Sequence, residues 1–108
     1  MTTSNEAALT KLQDALDALN SQTASDLPST QLAKLETAKA ALYGEIQALQ
    51  VHQLDERDAE YSALTNEFQD CKSDLSDLSN WITQRQKRDR ALFTLLSKGV
   101  GLALSLLA

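Results

Sequence analysis

Residues 54–82 read LDERDAEYSALTNEFQDCKSDLSDLSNWI. Leu54, Tyr61, Phe68, Leu75 and Ile82 recur every seven residues, with Leu64, Cys71 and Leu78 between them. A seven-residue apolar repeat with a second apolar position inside each heptad marks a coiled-coil seam, because that spacing keeps one stripe of a helix facing a partner. The other positions include Asp55, Glu56, Asp58, Glu60, Glu67 and Asp70, so this helix asks for cover along one stripe only. No proline follows Pro28, and the spacing predicts one long helix through this stretch.

Upstream, Thr3 and Glu6 stand at the spacing of a capping box, which predicts a helix start at the N-terminus. Leu9, Leu12, Leu16 and Leu19 then form one apolar stripe. The run Ser25-Asp26-Leu27-Pro28-Ser29 breaks it, since proline disfavours helix in the residue before it and suits a first helical turn. A second stripe follows at Leu32, Leu35, Leu42, Ile46 and Leu49, interrupted by Lys39. A turn near Asp26 predicts an antiparallel hairpin in which residue numbers summing to about 51 face each other, Leu19 with Leu32 and Leu9 with Leu42. Between Leu49 and Leu54 the stripe slips by one residue, which predicts a change of partner there.

The expected fold is therefore all-α. Residues 1–50 form the hairpin, residues 51–84 a coiled-coil stalk, and residues 85–108 an apolar tail helix with a basic flank. Nothing in the hairpin is long enough to cover the stalk, so the expected partner of Leu54, Tyr61, Leu64, Phe68, Cys71, Leu75, Leu78 and Ile82 is a second copy of the chain. The competing reading places a break at Ser76–Asn80, a run of weak helix formers, and folds a third helix beginning at Trp81 back onto the hairpin.

Composition narrows the function classes. The chain has 108 residues with 3 Gly, 1 Pro, 1 His and 1 Cys, too few turn formers for a sheet fold. The charge is polarised: residues 1–84 hold 5 cations against 14 anions (−9), and residues 85–108 hold 5 against 1 (+4). An acidic body of this kind opposes a phosphate backbone, and nucleic acid is not an expected partner. The N-terminus lacks the basic and apolar regions of a secretory signal, and a single cysteine suits a reducing compartment, so a cytoplasmic body is expected.

The tail carries the functional expectation. Trp81 precedes the cations Arg85, Lys87, Arg88 and Arg90, and the following eighteen residues, Ala91–Ala108, contain Lys98 as their one charge. An aromatic residue, flanking cations and an apolar segment are the features that anchor a helix at an anionic bilayer. Leu92, Phe93, Leu95, Leu96, Leu102 and Leu106 fall on a wide apolar face. Thr94, Ser97, Lys98, Gly101 and Ser105 fall on a narrow small-residue stripe, of the kind that lets helices approach closely. Insertion of this tail alone is close to neutral, because nine large apolar residues favour it by about 4–5 kcal/mol and one central lysine opposes it by about 2.5–3.5 kcal/mol.

No residue set implies catalysis, a cofactor, a metal or a small-molecule substrate. His52 has no second ligand at helical spacing, Glu56 and Glu60 read as a solvated face, and Cys71 sits in the seam. The expectation is a non-enzymatic homo-oligomer that meets a membrane through its tail, as an assembly scaffold or pore subunit. The alternative is a soluble subunit of a filament or shell, with the tail in the assembly core.

Overall fold

The structure, a computed structural model, describes residues 3–107. The side chains of residues 52–55 lie outside the described set, and with them the expectations for His52, Leu54 and Asp55. The protein is all-α. Helix α1 spans Asn5–Ser21 and α2 spans Ser29–Glu56, joined through a single 3₁₀ turn at Ala24–Asp26. A short α3, Asn66–Asp70, bends at Cys71 into α4, Lys72–Thr83. Helix α5 is Lys87–Arg90, and a 3₁₀ turn at Ala91–Phe93 leads into α6, Thr94–Leu107.

The continuous stalk expected over residues 51–84 is corrected: α2 ends at Glu56, and helix does not resume until Asn66. Two sets of competing hydrogen bonds end it. The first turn of α1 takes carbonyls that a continuing α2 would use, with the backbone N–H of Glu6 donating to Arg57 O (3.0 Å), that of Asn5 to Ala59 O (2.9 Å), and Asn5 Nδ2 to Glu56 O (2.8 Å). These contacts satisfy orphan donors at one helix start with orphan acceptors at another helix end. They also move the register, since Asn5 reaches Glu56 where the hairpin rule expected a partner near residue 46. The capping oxygen is that of Ser4, which accepts from Ala7 N at 3.2 Å, one residue after the expected Thr3.

The second competitor is Glu45, fully buried on α2. Its Oε2 accepts from the Tyr61 hydroxyl (2.5 Å) and Leu64 N–H (2.8 Å), and its Oε1 from Thr65 N–H and Oγ1 (both 2.9 Å). Thr65 Oγ1 in turn accepts from Phe68 N at 3.1 Å and caps α3. One carboxylate thus ties the returning chain to α2 and starts the next helix.

Past this knot the chain reverses, and helices from all three expected segments share one core. Phe68, Leu75 and Leu78 are fully buried there, with Leu12, Leu19, Leu35, Leu42, Leu49 and Leu96. The tail closes the bundle against α1 and α4. At Gly99 the approach is tightest, because a Cβ there would stand 2.7 Å from Leu19 Cδ2 and 2.9 Å from the Ala15 carbonyl oxygen.

Gly99→Val is therefore expected to lower stability by about 1–3 kcal/mol through overpacking against backbone. Gly101, whose added Cβ meets nothing within 4 Å, is expected to gain up to about 1 kcal/mol as Gly101→Ala. Opposite shifts in urea midpoint for these two neighbouring glycines check the packing of α6. Glu45→Ala strands four donors at once and is expected to cost about 2–4 kcal/mol, with proteolysis opening first between Arg57 and Thr65.

Candidate functional site

Two groups of residues were expected to matter, and the structure treats them differently. Of the seam, Tyr61, Phe68, Cys71, Leu75, Leu78 and Ile82 are buried within a single chain, covered mainly by α2 and α6. Leu64 is the exception, 42% exposed, because its backbone N–H is turned toward Glu45. The need for a second copy along this stripe is corrected accordingly. The tail that sequence reading assigned to lipid or to an assembly core supplies the cover.

Burial also fixes the chemistry of the seam's titratable groups. Cys71 is pushed up to about 11, first by burial and then by the charge of Asp74, while its thiol donates to Phe68 O at 3.1 Å. Tyr61 is raised too, by burial first and then by the hydrogen bond to Glu45 and that carboxylate's charge. Both favour the protonated side chain and hence the fold below their ordinary values. That contribution is lost as pH climbs, for Cys71 between about 9 and about 11. Stability is expected to fall across that interval in denaturant titrations, and less steeply in Cys71→Ala. At neutral pH the thiol is expected to react with maleimide far more slowly than a solvent-exposed cysteine.

The basic group stays at the surface. Helix α4 runs unbroken through Ser76–Asn80, where the competing reading placed a break before a third helix beginning at Trp81, and ends at Thr83 with Trp81 in its last turn. Arg85 folds back so that its guanidinium sits 4.5 Å from the centre of the Trp81 ring. Trp81 meets Phe93 edge-on, with centroids 4.9 Å apart and planes at 70°. Gln22 Nε2 donates to Leu92 O at 3.3 Å and ties the α1–α2 turn to the same end. A shallow hollow of about 220 Å³ remains between Asp26, Pro28, Trp81, Arg85 and Phe93.

Around this aromatic pivot Arg85, Lys87, Arg88 and Arg90 are all exposed, as are Leu92 at 60% and Leu95 at 43%. Arg85 and Leu92 thus share one tip with Asp26 and Asp89, on a body 45 Å long and 24 by 21 Å across, while Leu95 lies beside Asp14, Asp17 and Lys98. Leu96 and Phe93 turn inward, Leu102 and Leu106 are half-buried, and Lys98 and Gly101 face solvent. The segment Lys87–Leu107 is long and apolar enough to cross a membrane, a property that a core helix of a soluble bundle shares. The small-residue stripe holding Thr94, Ser97, Lys98, Gly101 and Ser105 lies at the water-facing edge of α6, and the close helix approach uses Gly99 on the opposite side.

Elsewhere, a groove of about 460 Å³ between α2 and the α3–α4 bend is lined by Glu67, Asp70, Cys71 and Asp74. Among the described residues no group of three or more His, Cys, Asp or Glu is placed to hold a metal ion. Glu45 escaped sequence reading as a structural residue, although one signal was present. It takes an inward position in the series Leu35, Ala38, Leu42, Glu45, Leu49, where an apolar residue belongs. Compared with known protein families, curated proteins and solved structures, the chain matches none.

Proposed function

We propose that the protein is a non-enzymatic helical module of the cytoplasm that docks on anionic membranes through its basic tip. The observation that carries this reading is that exposed Leu92 and Leu95 follow the exposed cations Arg85, Lys87, Arg88 and Arg90 within one short stretch of chain. Four cations near an anionic bilayer contribute about 4 kcal/mol at about 1 kcal/mol each. Two partly exposed leucines add about 2 kcal/mol when they enter the interface. Trp81, with Arg85 stacked on it, supplies the aromatic residue suited to the headgroup level.

Magnitudes favour docking with the bundle intact over insertion of α6. Withdrawing α6 from α1 would return Leu12 and Leu19 to water, a loss of about 1.5–3 kcal/mol each. The net gain from inserting the tail is only about 1–2 kcal/mol after the lysine is counted. The tail therefore serves as a core helix whose first turns reach the lipid surface.

Co-sedimentation with vesicles of phosphatidylcholine alone and of phosphatidylcholine with phosphatidylserine tests this. Binding is expected only to the anionic vesicles, released by high salt, and weakened about tenfold or more by Leu92→Asp with Leu95→Asp. Absence of binding to either vesicle overturns the reading in favour of a soluble structural subunit. Binding that survives salt and alkaline carbonate overturns surface docking in favour of a spanning tail.

A further inference from the structure

We infer that the hollow beside Trp81 takes the phosphoethanolamine headgroup of a lipid, a proposal that rests on membrane docking and names the lipid it selects. Separate stretches of chain build the hollow. Asp26 and Pro28 come from the turn between α1 and α2, Trp81 and Arg85 from the end of α4 and just beyond it, and Asp89 and Phe93 from the segment leading into α6. The hydrogen bond from Gln22 to Leu92 O at 3.3 Å and the edge-on contact of Trp81 with Phe93 hold these stretches together. Its volume of about 220 Å³ falls below the roughly 300–1,000 Å³ of pockets for drug-sized ligands, and suits a group of headgroup size.

Internal pairing does not account for the charges gathered here. Arg85 shares the hollow with two carboxylates, yet its guanidinium sits over the Trp81 ring and forms no ion pair within 4.0 Å among the described residues. Asp26 is exposed and equally unpaired, and Asp89 meets only Arg88 Nε, at 3.8 Å. With Arg88 87% exposed, that contact is too open to hold either group. Guanidinium donors and carboxylate acceptors thus line one small hollow beside an aromatic ring, with hydrogen-bonding capacity to spare.

A ligand that satisfies both signs carries an anion and an N–H cation a few bonds apart. A phosphodiester accepts from Arg85 in the forked geometry that guanidinium groups favour, and a primary ammonium offers three N–H donors to Asp26 and Asp89. Other common headgroups fit worse. Choline has no N–H to donate and is recognised through open aromatic faces, whereas Arg85 already covers the face of Trp81. Phosphoserine brings a carboxylate against the two aspartates, and a polyphosphorylated inositol meets a hollow whose own formal charge is −1, from one Arg and two Asp. Exposed Leu92 lines the same hollow and offers an apolar contact where the acyl chains begin. Lys87, Arg88 and Arg90 do not line it, and answer to the surface potential alone.

Two measurements on the full chain test this. In the first, glycerophosphoethanolamine and glycerophosphocholine are titrated separately while NMR follows the indole N–H of Trp81, the one tryptophan. The ethanolamine diester should shift that signal with a dissociation constant of about 1–10 mM, and the choline diester should bind about tenfold more weakly or worse. In the second, vesicles of phosphatidylcholine with phosphatidylserine are compared with vesicles of equal phosphatidylserine content in which phosphatidylethanolamine replaces half the phosphatidylcholine. The replacement should tighten binding about threefold to tenfold. Asp26→Asn with Asp89→Asn should bind the ethanolamine-free vesicles at least as well as the parent chain, because two repelled charges are gone, and should lose the gain from phosphatidylethanolamine. A gain that survives in this variant reflects lipid packing and overturns the inference, as do equal shifts by the two diesters. A shift by the ethanolamine diester without a gain on vesicles overturns the lipid source in favour of a free ligand. Loss of all vesicle binding overturns membrane docking and the lipid source with it, whereas vesicle binding without a selective shift at Trp81 overturns the hollow alone.

Discussion

Glu45 holds three things in place with one carboxylate. It stops the chain from continuing α2, by binding the backbone N–H groups of Leu64 and Thr65 before they can join a helix. It anchors Tyr61, whose own backbone N–H donates to Thr3 O at 2.7 Å and so brings in the N-terminus. It positions Thr65, whose hydroxyl caps the helix that follows. Burying a carboxylate is costly unless its lone pairs are filled, and four donors fill them here. An alanine or leucine at this position would leave those four donors without their acceptor.

The reversal changes what the seven-residue repeat does. A seam on a continuous stalk would need another molecule, because no other part of the chain reaches so far. Folding the stalk back after Glu56 shortens that distance, and α6 then lies against α1 and α4. The same apolar positions and the same tail satisfy each other within one copy. Cover for a helix stripe thus depends on where the chain turns as much as on the stripe itself.

Periodicity made the helices legible, along with the turn before Pro28 and the inward side of each amphipathic segment. Leu12, Leu19, Leu35, Leu42 and Leu49 are buried as their spacing implied. The break after Glu56 was hidden because it has no proline or glycine to mark it. Its cause is a set of long-range hydrogen bonds, to a carboxylate on one helix and from the first turn of another, and neither is a local property of residues 57–65. The tail was legible in composition but not in placement. A mean apolar character near the limit for insertion suits a core helix equally well, and Gly99 chooses between them only through the shape of α1 opposite it.

The tail's near-neutral insertion energy has a physical use in this arrangement. A more apolar α6 would leave the bundle for lipid or aggregate through Leu92 and Leu95, and a more polar one would fail to close the core over Leu12 and Leu19. Placing the four cations ahead of it, at residues 85–90, resolves the conflict by geometry. The segment before α6 is exposed and charged, the middle of α6 is packed, and its water-facing edge carries small and polar residues. Four cations outnumber Asp26 and Asp89 at one tip, and Glu56, Asp58 and Glu60 lie at or just beyond the far end of α2, so charge is unevenly spread along the long axis. An anionic surface attracts that tip and repels the rest, so lipid would orient the molecule end-on.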